Sequence, residues 1–335
     1  MTSVRTAVEP LPPPVRPERR LAAWASGLSV AVPSVVVGCR LIGVDAVTPV
    51  PQLLSFLPWL ALPAGLALLL ALLARRRLLA GWAALVLAVT CWFVLPYGPD
   101  TTTARGPVVE RLRVLTANVE FGQGTEALVE TVRRERPQLV YVSECDRLCL
   151  RALTAAVGPD LPHRAVVDGW GSTGSAVLSA YPLTAQPPIP AVMGMPGATT
   201  QIGGRTVQLR LAHPLPPIPR QVDAWKSELG RVADFAAARR DGGPVILAGD
   251  FNASQDHAAF RSVLDAGRLH DAARLAGAAR TPTWPREGQG PLPPYVQIDH
   301  VLVSDDFRVR GVRFLDLAGS DHRAVLAELD LHAGR

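Results

Sequence analysis

Three short acidic segments in the second half of the chain, Asp250-Phe251-Asn252, Asp299-His300 and Ser320-Asp321-His322, carry the residue types that metal-assisted hydrolysis of a phosphoester needs. Each abuts an apolar run: Val245–Gly249 precedes the first, Val301–Val303 follows the second and Ala324–Leu326 follows the third. Carboxylates and imidazoles at strand ends are held rigidly, as a metal and phosphate site requires. Side chains two apart on a strand share a face, so Asp250 and Asn252 can reach one ligand, whereas His300 turns away from Asp299 and reads as structural.

The elements that must position these groups are legible as runs. Strand patterns fall at 112–117, 138–143, 176–179, 206–212, 244–249, 299–303 and 323–331, with helical patterns at about 125–136, 222–240 and 257–266. The helix from Val222 sets Trp225, Leu229, Val232 and Phe235 on one face, which suits a helix covering a sheet. Periodicity alone gives a mixed α/β domain.

Further motifs precede the acidic segments in order: Leu115-Thr116-Ala117-Asn118, Val142-Ser143-Glu144, Gly174–Ser179 with Tyr181-Pro182-Leu183, and Leu211-Ala212-His213-Pro214. In this order and spacing, residues 110 to 332 resemble the endonuclease/exonuclease/phosphatase family of DNase I-like nucleases, inositol phosphatases and sphingomyelinases. The resemblance implies a four-layer α/β sandwich of two packed, mainly antiparallel sheets with helices outside. It implies a Mg2+ (or Mn2+) site held by Glu144 and Asp321, with Asn118 positioning the hydrated ion or a phosphate oxygen. Asp299 would hold His322, the residue that activates or orients water, and His213 would bind the phosphoryl group. Asp250 and Asn252 would orient the nucleophile or leaving group. Ala180 stands where Arg is frequent, and Ala212 where Thr is frequent. Glu120 is either a second metal contact or a surface charge; Trp170 and Trp284 are either pocket contacts or turn residues.

Three apolar runs precede this domain, at about 21–44, 53–73 and 78–95, each near the roughly 20 residues of a membrane-spanning helix. Arg16, Arg19 and Arg20 precede the first, and Arg75-Arg76-Arg77 separate the second from the third. The positive-inside rule makes both clusters cytoplasmic and places everything after residue 97 outside the cytoplasm. The expected organisation is a disordered cytoplasmic tail over 1–20, three transmembrane helices over 21–97, a linker over 98–109 and the hydrolase over 110–335. Cys145 and Cys149, directly after Glu144, can pair outside the cytoplasm or stay free; Cys39 and Cys91 read as packing within the spans.

Charge separates the parts. Residues 1–103 carry eight Arg against four acids, while residues 104–335 carry 25 Arg and one Lys against 25 acids. A nearly neutral domain lacks the basic excess of a duplex-gripping protein, so nucleic acid is not the expected partner. Three spans followed by such a hydrolase resemble the membrane-anchored actinobacterial VanJ-type proteins of teicoplanin resistance. That resemblance implies a lipid-linked phosphate or pyrophosphate of cell-wall synthesis as substrate, a multi-pass location in the cell membrane with the catalytic domain extracytoplasmic, and membrane lipid as the surrounding partner. No protein partner is inferred. A tethered nuclease and a silent phosphate-binding module are the competing classes.

Overall fold

The computed structural model describes residues 17–288 and 292–334. Four helices come first: α1 (Pro17–Ile42), α2 (Val50–Leu54), α3 (Ala61–Leu73) and α4 (Arg77–Val94). Then follow β1 (Val108–Asn118), α5 (Thr125–Glu135), β2 (Leu139–Ser143), α6 (Arg147–Val157), β3 (His163–Val167), β4 (Ser175–Ser179), β5 (Leu183–Gln186), β6 (Gly197–Ile202) and β7 (Arg205–Ala212). The chain ends with α7 (Val222–Ala237), β8 (Val245–Asp250), α8 (Ala258–Gly267), β9 (His270–Asp271), α9 (Ala272–Leu275), β10 (Asp299–Val303), β11 (Phe307–Asp316) and β12 (Arg323–His332). The tail expected over residues 1–20 lies, as far as residue 16, outside the described residues.

The chain divides into two compact units, one reaching Gly38 and including Leu57–Val94, the other combining Cys39–Phe56 with Leu95–Arg335. Among the described residues, two helices are long and apolar enough to cross a membrane, α1 and α4. Only 28% and 22% of their apolar windows are buried, unlike the core helix of a soluble protein. The expected second span is shorter, an apolar helical stretch over Leu57–Leu73, because Leu53–Phe56 belongs to the other unit. Small residues let these helices approach: Ala64, Ala67 and Ala83 are fully buried, and the Ser26 hydroxyl donates to the Ala67 carbonyl at 2.7 Å.

The second unit has two six-stranded sheets, ordered β11-β12-β1-β2-β4-β3 and β5-β6-β7-β8-β10-β9. Every pairing is antiparallel except β1 with β2 and β7 with β8. Alternation along the strands makes four layers. Val114, Tyr141, Ile246 and Ala248 point between the sheets into one core. Their neighbours Leu115, Val140 and Val142 face outward under Leu128 and Val132 of α5 and Leu153 of α6. Val245 and Leu247 likewise lie under Trp225 and Leu229 of α7 and Phe260 of α8.

This topology also brings the strand ends together. The parallel pairs deliver Asn118, Glu144, His213 and Asp250 at or just past the carboxyl ends of β1, β2, β7 and β8. β10 runs antiparallel to β8 with Asp299 opposite Asp250, and β12 starts directly after His322. Gly249 permits the closure. Its φ is +150°, and a Cβ there would lie 2.0 Å from the Ala212 carbonyl oxygen. Gly249→Ala must therefore push β7 from β8, an expected loss of about 2–3 kcal/mol of stability. Thermal melting of the full chain should show a midpoint several degrees lower; an unchanged midpoint would refute the packing argument.

The segment between α1 and the next apolar helix is built into the hydrolase unit. Asp45 is fully buried, accepts from the Ala259 N–H at the start of α8 (2.8 Å) and faces Lys226, the chain's one lysine, at 3.3 Å. His257 Nδ1 accepts from the Ser254 N–H (2.9 Å), so its Nε2–H donates to the Pro51 carbonyl (2.8 Å) and the ring is neutral; burial lowers its pKa in agreement. Arg40 lies 3.8 Å from Asp256, which Arg280 grips with two bonds of 2.7 and 2.8 Å. Tyr97, past the last apolar helix, donates from its N–H to Gln255 (3.1 Å) and from its hydroxyl to Asp265 (2.9 Å).

Candidate active site

Glu144, Asp250, Asn252, Asp321 and His322 line one cavity of about 320 Å³. Asn118 is buried beneath them, and its amide N–H groups donate to Glu144 Oε1 (3.1 Å) and Asp250 Oδ2 (3.2 Å). Its carbonyl oxygen accepts from the Glu120 N–H at 3.0 Å. As placed, Asn118 holds two carboxylates at a fixed separation. Glu144 sits in the left-handed region at φ +57°, and its second oxygen accepts from the Phe121 N–H (3.1 Å). A non-glycine residue in that conformation is strained and persists because its surroundings fix it. Burial raises the Glu144 carboxyl above its usual range, and Asp250 adds to the rise against the Asn118 and Phe121 donors. Asp250 is raised as well, again mainly by burial.

His322 and Asp299 form the expected acid–imidazole pair. Nδ1 lies 2.9 Å from Asp299 Oδ2, while Nε2 is 3.7 Å from both Asp250 and Asp321. Burial pulls the ring's pKa down, but the carboxylates of Asp299, Asp250 and Asp321 overcome it and push it up to about 10. The second oxygen of Asp299 is buried without a hydrogen-bond partner. Asp250, Asp299 and His322 offer ligand atoms within 4.8 Å of one another. Several carboxylates against one ring form a donor set of the hard, oxygen-rich kind that suits a divalent cation. Glu144 and Asp321, the ligands implied by the sequence, line the same cavity as Asp250.

His213 lies fully buried, its Nε2 3.9 Å from Glu144 Oε1, and neither ring nitrogen has a hydrogen-bond partner. It lies behind Glu144 and is not part of the cavity lining, and a buried ring with both nitrogens unpartnered calls for an explanation that the fold alone does not supply. Burial pushes its pKa down to about 4. The unfolded ring takes a proton near pH 6.5 and the folded ring only near 4, so stability is intact above about 6.5 and falls as pH drops through that window. An NMR titration should find His213 still neutral at about pH 5. A midpoint at or above about 6 would show the ring to be solvated.

Other expectations meet their structural outcome here. Asn252, at φ +47°, turns its amide to the Pro214 carbonyl (3.0 Å) and lines the cavity. Glu120 follows the end of β1 in a turn, so it does not continue the strand face of Asn118; burial and Asp321 raise its pKa. His300 is structural, set between Asp271 (2.9 Å) and the Ala253 carbonyl (3.0 Å). Trp284 lines the cavity and donates to Asp321 Oδ2 at 2.9 Å, whereas Trp170 is 71% exposed and outside the lining. Cys145 and Cys149 are bonded to each other across the start of α6, beside Glu144. Two supporting residues, Thr283 and Arg286, escaped the sequence reading, and Ser320 was given no role there. Thr283 Oγ1 accepts from the Asp299 N–H (3.1 Å), Ser320 Oγ accepts from the His322 N–H (3.0 Å), and the Arg286 N–H donates to the Asp321 carbonyl (2.6 Å). Hydroxyls that brace a neighbouring strand leave no periodic signal.

Solved structures share this architecture. A protein of the endonuclease/exonuclease/phosphatase type from Beutenbergia cavernae is 22% identical with a TM-score of 0.55, covering 67% of this chain and 72% of its own. TDP2 from D. rerio, solved with a single-strand DNA product, is 13% identical (TM-score 0.52), covering 66% of this chain and 99% of that one. A mannosyl-6-phosphatase from Bacteroides thetaiotaomicron is 18% identical (TM-score 0.51), covering 65% and 99%. At these identities the likeness establishes the fold. No curated protein matches the chain. The model of the Endonuclease/Exonuclease/phosphatase family matches residues 115–322.

Proposed function

The chain belongs to the endonuclease/exonuclease/phosphatase family, and on that footing we propose that it is a membrane-anchored, magnesium-dependent phosphoesterase acting outside the cytoplasmic membrane on a lipid-linked phosphate or pyrophosphate. One observation carries the chemistry: Glu144, Asp250, Asp321 and the His322 of an Asp299–His322 pair converge on a single cavity. Bound there, a divalent cation supplies Lewis-acid polarisation of the phosphoryl group and offsets the carboxylate charge. With the carboxylate charge offset, the pKa of His322 would fall from about 10 and the ring would be free to orient or deprotonate water. Asp299 would fix that ring, Asn252 would meet the phosphoryl group from the cavity wall, and His213 would reach it only past Glu144.

Support for three membrane crossings comes from the chain path. Cys39–Phe56 and Leu95–Arg335 form one compact unit, so both lie on the same side of any membrane. If α4 crosses, the Leu57–Leu73 stretch must cross as well, since a single crossing between the two segments would separate them. Seventeen residues suffice, at the lower end of the roughly 17–25 that span a bilayer. Arg19, Arg20 and Arg75–Arg77 then fall on the opposite, cytoplasmic side.

An anchored, nearly neutral hydrolase meets lipid-borne phosphates at high local concentration. The cell-wall carrier lipids implied by the VanJ-type resemblance are the proposed class. The test assays purified full-length protein against undecaprenyl pyrophosphate, phospholipid and DNA in parallel, with magnesium. Turnover of the isoprenyl substrate is expected to dominate. Efficient DNA cleavage with neither lipid turned over would replace this reading with the nuclease, and no turnover of any would leave a binding module.

A further inference from the structure

The site cavity has a second, apolar end, and part of it comes from the segment that precedes the apolar Leu57–Leu73 helix. Phe56, the last residue of that segment, stacks on Tyr295 with ring centroids 4.1 Å apart and planes 15° apart. Tyr295 meets Trp284 edge-on at 5.5 Å, and Trp284 donates to Asp321. An aromatic row thus runs from Phe56 to a carboxylate of the site. Met193, Pro216, Pro217 and Ile218 also line the cavity, and the Gln52 amide donates to the Pro217 carbonyl, tying the two segments together. Among the described residues of the lining there is no Lys or Arg.

We infer that this aromatic and aliphatic end is a subsite for the hydrocarbon chain attached to the substrate phosphate, with Phe56 and Ile218 setting chain-length preference. The distribution of charge decides the occupant. A nucleic acid places another phosphate beyond the reacting one and needs a cation to meet it, and the lining offers none. A hydrocarbon needs apolar surface and no donors, which this end provides. The cavity holds a phosphate and the first carbons only, so a longer chain leaves past Ile218, which is 47% exposed at the rim. The Gln52 amide N–H and the Trp284 N–H are already engaged, which leaves no free donor on either side chain, while the Gln52 amide oxygen is buried without a partner.

The subsite rests on the phosphoesterase reading for its anionic end, so its test reads binding, not turnover. Methyl-, butyl- and octylphosphonate are titrated calorimetrically into the full-length protein with magnesium chloride. Burying a few methylene groups should make octylphosphonate bind about a hundredfold more tightly than methylphosphonate. Phe56→Ala should cut that ratio about tenfold, and Ile218→Ala, at the rim and harmless to folding, by about threefold. Affinity independent of chain length, or an equal loss for both phosphonates in the variants, would overturn the subsite. Chain-length-dependent binding without hydrolysis of any phosphoester would uphold the subsite and remove the phosphoesterase reading instead.

Discussion

His322→Ala is expected to lower turnover by about three to four orders of magnitude, the range for losing a positioned general base. Asp299→Ala should cost about ten- to a hundredfold less than that, because Asp299 acts only through the ring it holds at 2.9 Å. The double variant should therefore fall little below His322→Ala alone. Asp299→Asn separates geometry from charge. An amide can still orient the ring but cannot stabilise imidazolium, so the ring's pKa should drop from about 10. Circular dichroism must show each variant folded, since Asp299 is fully buried. Losses that multiply, with each single effect retained in the double variant, would mean the two residues act separately.

That pair was legible because its residues adjoin strands with clear apolar patterns, as were the seven strand runs now seen as β1, β2, β4, β7, β8, β10 and β12. What periodicity missed has physical reasons. β11, Phe307–Asp316, sets Phe307, Val309, Val312 and Phe314 against the core between arginines, but the register shift at Val309/Gly311 breaks the period of two that would mark it as a strand. α6 hides behind Cys145 and Cys149, although Asp146 caps it by accepting from the Leu148 (2.9 Å) and Cys149 (3.0 Å) N–H groups. The apolar pattern places the Cys39–Phe56 segment within and beside membrane spans. Only its tertiary partners, Asp45 with Ala259 and Pro51 with His257, assign it to the hydrolase, and partners some 200 residues away leave no local trace. Asn118 was legible as a site residue, but its donation to both Glu144 and Asp250 depended on how the two sheets meet.

Removing divalent cations is expected to reduce turnover to background, and magnesium to restore it. The reasoning is electrostatic. Glu144, Asp250 and Asp321 line one cavity, and burial raises the first two carboxyls because ionising them there without a counter-charge is costly. His322 alone does not balance them, and a phosphate entering such a site brings still more negative charge. A cation reverses that repulsion. Glu144→Ala should raise the magnesium concentration for half-maximal activity about tenfold or more. Asn118→Ala, which frees Glu144 and Asp250 from their shared donor, should raise it by less and also spread the two carboxyl pKa values differently. Full turnover in excess chelator would mean that His322 and His213 manage the phosphoryl charge unaided. That charge would then fall to His322, whose pKa is pushed up to about 10, because His213 is held near 4. A neutral His213 therefore leaves the cation and the His322 ring as the counter-charges for a bound phosphate, and chelation tests whether the ring suffices alone.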